Sequence, residues 1–68
     1  MTIFDPDGNP CAYITMGDMT IYLLEGNPVA YLDGSNVYGF NGKHLGWFED
    51  EIIWDHEGMI VGYTLIFI

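Results

Sequence analysis

Four glycines at nearly even spacing constrain this chain more than any other feature. Gly8, Gly26, Gly42 and Gly58 stand 18, 16 and 16 residues apart, and when the sequence is aligned on them the neighbouring columns become uniform. Five residues before each glycine come Ile3, Ile21, Val37 and Ile53, followed by the aromatics Phe4, Tyr22, Tyr38 and Trp54. Three residues after it come Cys11, Val29, Leu45 and Val61, then the small residues Ala12, Ala30, Gly46 and Gly62, then Tyr13, Tyr31, Trp47 and Tyr63. A chain of 68 residues that repeats one phrase four times is building one structural unit four times, because no copy can bury its apolar side alone.

Each unit reads as a β-hairpin. β-Branched and aromatic residues flank a turn whose glycine supplies the positive φ that other residues resist, and "DPDG" and "NG" are strong turn signals. A two-residue loop would set Tyr22 beside Val29 and Tyr38 beside Leu45, whereas a three-residue loop with a bulge would shift that register. The sequence leaves both open. No apolar stripe holds a helical period, and four strands for each blade of a propeller would need a longer chain. The expected architecture is all-β: one domain of four hairpin petals around a pseudo-fourfold axis, with units at about 3–20, 21–36, 37–51 and 52–68. The small column marks where strands approach closely. Cys11, in a column of aliphatic residues, is expected in the core, and Tyr13, Tyr31, Trp47 and Tyr63 are expected to gather around the axis or on one ring of the assembly, as core packing.

The stretch "VAYLDGSNVYGFNGKHLGWFEDEIIWDHEGMIVGY", residues 29–63, resembles the bacterial four-fold β-flower domain, a family of small uncharacterised proteins. The resemblance implies a ring of four hairpin petals, in agreement with the repeat. It implies no activity. The first unit departs from the pattern at Pro10, Cys11 and the long connection "TMGDMT".

Ten carboxylates face a single Lys43, for a formal charge of −9. That field repels phosphate backbones and anionic lipid, so direct nucleic-acid or membrane binding is not expected and a protein partner, basic in character, suits the sign better. Half the residues are hydrophobic, enough for the chain to fold despite its charge. One cysteine excludes an internal disulfide and fits a reducing compartment. With no basic-apolar leader in "MTIFDPDG", a cytoplasmic location is expected.

In a repeat, shared columns hold the fold and departures are the place to seek function. The third unit departs most: His44 replaces the proline of the first two, beside Phe40, Trp47 and Phe48 and the acidic run Glu49, Asp50, Glu51. Asp55 and His56 follow in the fourth. These nine residues form the candidate partner-binding set. The spacing of 12 between His44 and His56 matches no short metal motif, so no metal or cofactor is expected. Neither Ser35 nor Cys11 has the partner a nucleophile needs, and no enzyme is expected. The leading reading is a non-enzymatic binding module for a protein partner. A second is an inhibitor of the phage or mobile-element type, whose carboxylates imitate nucleic-acid phosphates, and a third is a small-molecule or metal site near the third petal. The apolar ending "TLIFI", residues 64–68, is expected either to close the ring against Ile3 and Phe4 or to pair with another copy of the chain.

Overall fold

A computed structural model describes residues 1–65 as eight strands and no helix. They are β1 (Thr2–Phe4), β2 (Pro10–Thr15), β3 (Thr20–Leu23), β4 (Pro28–Asp33), β5 (Asn36–Gly39), β6 (His44–Glu49), β7 (Ile52–Asp55) and β8 (Ile60–Thr64). Each pairs antiparallel with the next, and β8 returns to β1 through Ile3↔Thr64 and Phe4↔Tyr63, so the sheet closes into a barrel. Closure leaves no free edge strand, which disposes of the aggregation hazard a small all-β domain would otherwise carry. The ring is closed by β8 itself. Leu65 is exposed, and the remainder of the apolar ending, with the pairing of copies expected there, lies outside the described residues.

All four hairpin tips are built alike. The Gly8 amide donates to the Asp5 carbonyl (2.9 Å) and the Asp5 amide to the Asn9 carbonyl (2.8 Å), and the same two bonds recur at Gly26, Gly42 and Gly58. Each encloses a three-residue loop whose last residue is a glycine at φ of 90°, 101°, 83° and 79° in turn, the left-handed conformation such a loop requires. Asp5 fastens its tip further by accepting the Asp7 and Asn9 amides on Oδ1, and Asp55 does the same for Glu57 and Met59.

This loop decides the register. Phe4 pairs with Pro10 and Ile3 with Ala12, which leaves Cys11 unpaired in a bulge, and Val29, Leu45 and Val61 are bulged in the same way. The extra residue breaks alternation and turns that side chain toward the barrel mouth. Cys11 is therefore exposed, not in the core as its column suggested. Val29, Leu45 and Val61 are 40%, 44% and 52% exposed beside it.

The interior is filled by three rings of side chains. Ile3, Ile21, Val37 and Ile53 form the first, Ala12, Ala30, Gly46 and Gly62 the crowded second, and Ile14, Leu32, Phe48 and Thr64 the third. Alternating large and small rings is how a narrow barrel packs without voids. The third ring is anchored by a fourfold set of bonds in which the Ile14, Leu32, Phe48 and Thr64 amides donate to the carbonyls of Met1, Met19, Ser35 and Glu51. The aromatic column lies outside the barrel rather than around its axis. At the four seams Tyr13 faces Tyr22, Tyr31 faces Tyr38, Trp47 faces Trp54 and Tyr63 faces Phe4. Three of these pairs stack with centroids 5.3 to 5.6 Å apart, and such pairs contribute about 0.5–1.5 kcal/mol each beyond the area they cover.

Candidate functional site

On the outer face the fourfold pattern changes between β4 and β7. Tyr31, half-buried, stacks on Tyr38 (5.5 Å) and touches Phe40 (5.9 Å), which stands 58% exposed at the third hairpin tip. Tyr38 meets the edge of His44 at 5.2 Å, and His44 meets Trp47 at 5.0 Å. His56 closes the strip, 5.4 Å from Trp47. Phe40, His56, Leu24 and Pro6 occupy one column, the first loop residue of each tip. In two of the four that residue is an aromatic or imidazole ring laid against the outer aromatic of the preceding hairpin. The result is an unbroken run of rings on a surface otherwise rich in carboxylates.

His44 and His56 come together although 12 residues separate them. Strands β6 and β7 pair through Gly46↔Asp55 and Trp47↔Trp54, so extending the ladder past Gly46 carries His44 alongside the loop that holds His56. Nδ1 of His44 lies 2.7 Å from Nε2 of His56, and Nε2 of His44 lies 3.1 Å from Asn36 Oδ1. Asn36, at the start of β5, was absent from the sequence-derived set. Its signal was positional, because it pairs with Trp47 across β5 and β6.

Trp47 and Trp54 face each other across the same pair of strands, with a cavity of about 360 Å³ beside them lined also by Glu49, Asp55, His56 and Gly58. Two indoles, two carboxylates and an imidazole thus share one open concavity. Trp54 also lay outside the candidate set, because its facing Trp47 depends on the register between β6 and β7, which the sequence leaves open. Of the acidic run only Glu49 reaches this cavity. Asp50 and Glu51 form the turn into β7, both with positive φ, 52° and 69°, while Phe48 points inward and packs against the core. A second cavity, about 220 Å³, lies around the histidines and is lined by Lys43, His44, Leu45, Asp55, His56 and Glu57.

A third concavity, about 190 Å³ and almost wholly apolar, opens at the barrel mouth over Ile3, Ile21, Val37 and Ile53, with Cys11 on its rim. The Cys11 thiol is held above its ordinary range, first by partial burial and then by the charge of Asp5; its Sγ donates to the Ile3 carbonyl at 3.6 Å. A thiol so placed is a poor nucleophile at neutral pH. On the opposite side Asp18 accepts a hydrogen bond from the Thr15 hydroxyl, which lowers its carboxyl below the usual range.

A closed ring of four bulged hairpins, each tipped by a left-handed glycine, is the distinguishing feature of this fold, and a family model for the 4-fold beta flower protein matches residues 1–65. The chain belongs to the four-fold β-flower family. No curated protein and no solved structure matches it. The match covers all four petals of this β-flower, including the first, whose Pro10 and Cys11 depart from the others. The ring strip and the tryptophan cavity are thus features of particular petals laid on the family's common frame. Among the described residues no helix is long and apolar enough to cross a membrane.

Proposed function

We propose that this β-flower is a non-enzymatic binding module that holds a basic segment of a protein partner, with an Arg or Lys side chain seated between Trp47 and Trp54. The observation that carries the reading is the cavity itself, which two indoles line together with two carboxylates, Glu49 and Asp55. An indole face attracts a cation by about 0.5–2 kcal/mol, more as water is excluded, and a carboxylate offers a guanidinium a charge-assisted hydrogen bond. Asp55 is held rigid for this by its Oδ1 bonds to the Glu57 and Met59 amides, so little order is lost when a ligand arrives. At about 360 Å³ the cavity falls at the low end of the ~300–1,000 Å³ typical of ligand clefts. The formal charge of −9 speeds encounter with a basic surface.

Trp47 and Trp54 are the only tryptophans in the chain, so fluorescence excited at tryptophan rather than at the five tyrosines reports on this cavity. Titration with short Arg- and Lys-containing peptides is expected to shift the emission. Trp47→Ala, monitored by the Trp54 signal, is expected to weaken binding at least tenfold, and Glu49→Gln to weaken it less and to flatten its salt dependence. The nucleic-acid-mimic reading predicts otherwise: binding would follow the carboxylates of the whole surface, and Trp47→Ala would leave it intact.

A further inference from the structure

The two imidazoles of His44 and His56 meet in a way that packing alone does not require. Their planes differ by 12° and their centroids are 5.0 Å apart, which equals the nitrogen gap of 2.7 Å plus roughly one ring radius on each side. The rings therefore lie edge to edge and nearly coplanar, nitrogen toward nitrogen. Asn36 fixes the proton inventory. Its Oδ1 only accepts, so the His44 Nε2 facing it at 3.1 Å is the protonated nitrogen and Nδ1 presents its lone pair toward His56. One proton, carried by His56 Nε2, then fills the gap between the rings.

We propose that this pair is a binding site for a divalent transition metal of the zinc or nickel class, the ion taking the place of the shared proton. Imidazole nitrogens suit these borderline ions, and zinc–nitrogen bonds of ~2.0–2.1 Å at a tetrahedral angle set the two nitrogens about 3.3 Å apart. The nitrogens need to part by little more than half an ångström, and each ring to tilt by about 35° so that the lone pairs, which now point at each other, converge on the ion. His56 can do so, because it is an exposed loop residue whose ring hydrogen-bonds to His44 alone among the described residues. Asn36 is the outer-shell partner that ligating histidines characteristically have, orienting the ring and selecting its tautomer. Among the described residues no group of three or more His, Cys, Asp or Glu is assembled around an ion, so the site supplies two nitrogens and water completes the coordination. Asp55 and Glu57 line the same cavity and outnumber its one fixed cation, Lys43, which leaves it electrostatically favourable to a cation. On binding, His56 passes from its Nε2–H to its Nδ1–H neutral tautomer, which frees the Nε2 lone pair for the ion with no net release of a proton.

The inference does not depend on any protein partner. Its test is calorimetric titration of the intact chain with zinc alone, and quenching of tryptophan fluorescence by nickel, in the wild type, His56→Ala, Asn36→Ala, Asp7→Asn/Glu25→Gln and Cys11→Ser. One equivalent of metal per chain is expected, with quenching that reflects the nearness of Trp47. His56→Ala is expected to lower affinity at least tenfold while circular dichroism shows the fold intact, and Asn36→Ala to lower it about tenfold, as outer-shell changes do. The carboxylate and cysteine variants should bind as the wild type does. Binding that survives His56→Ala, binding that depends on Asp7 and Glu25 or on Cys11, or no binding at 1 mM metal on the order of the weakest useful affinity overturns the proposal.

Discussion

The first two petals and the last two share one backbone and differ in what they hang on it. Hairpins one and two carry Pro10 and Pro28 after the tip, Ala12 and Ala30 inside the barrel, and the Tyr13–Tyr22 pair outside. Hairpins three and four carry His44 and Ile60 after the tip, Gly46 and Gly62 inside, and a tryptophan pair outside. The tip bonds and the bonds that anchor the third ring are alike in all four. Backbone hydrogen bonding thus fixes the repeat, and side chains are free to diverge wherever those bonds do not pass through them. The candidate site falls where divergence is greatest, on the outer face of β6 and β7.

The comparison can be broken most severely in the third ring. Ile14 is 2% exposed and occupies the position that Thr64 holds in the fourth petal. Ile14→Ala is expected to cost about 3–4 kcal/mol, within the range for buried aliphatic truncation. Thr64→Ala removes less volume and a 3.5 Å hydroxyl contact to the Glu51 carbonyl, for about 1 kcal/mol. Urea denaturation of the two variants measures both, and equal losses would mean that the ring is not a shared layer.

Next comes the second ring. A Cβ at Gly46 would collide with the Trp54 carbonyl oxygen, and one at Gly62 would stand 2.9 Å from the Phe4 carbonyl oxygen, although alanine is accommodated at residues 12 and 30. Gly46→Ala is expected to destabilise by about 2–3 kcal/mol through overpacking, and Ala30→Gly by about 1 kcal/mol through chain entropy and lost packing. A harmless Gly46→Ala in the same denaturation experiment would refute the close approach of β6 and β7.

The frame was legible in the sequence because it repeats. Glycine spacing gave the hairpins, the tips and the crowded column of Ala12 with its equivalents, and the barrel places the Ile3 column beside it in the interior. The bulge column was misread, since an aliphatic column of Val29, Leu45 and Val61 suggests a core. The three-residue loop held the correction: it leaves Cys11 in a bulge between Pro10 and Ala12, where alternation breaks and the side chain turns to the barrel mouth. The pairing of His44 with His56 depends on the register between β6 and β7, which follows from loop length rather than from residue type. His44, Trp47, Glu49, Asp55 and His56 gather on the outer face as a candidate site, Phe40 extends the strip, and Phe48, Asp50 and Glu51 serve the core and the turn.

The turns between petals offer a smaller contrast. Gly34 turns β4 into β5 at φ 63°, whereas Asp50 and Glu51 turn β6 into β7 at 52° and 69° without a glycine. A left-handed glutamate stores strain on the order of 1 kcal/mol, so Glu51→Gly is expected to stabilise by up to about 1 kcal/mol and Gly34→Ala to destabilise by a similar amount, both read as shifts in Tm. The reverse signs would show that the acidic turn is not strained.

The smallest effect is one of pH. The Asp18 carboxyl is lowered by the Thr15 hydroxyl and the Thr20 amide, so its contribution to stability is present above the ordinary carboxylate range and is lost as pH falls through its lowered value. Asp18→Asn should therefore narrow its difference from the wild type as the pH is taken into that acid range, when Tm is followed from pH 7 downward. A difference that stays constant with pH would assign the loop's stability to something other than this charge.

The division between a common frame and a divergent outer face is tested most directly by amide chemical-shift mapping during titration with a short arginine-containing peptide. The account predicts saturable shifts confined to β6, β7 and the tip bearing His56, with the equivalent positions on β2 and β3 unmoved. Shifts spread evenly over the four petals, or following the carboxylates wherever they lie, would contradict it.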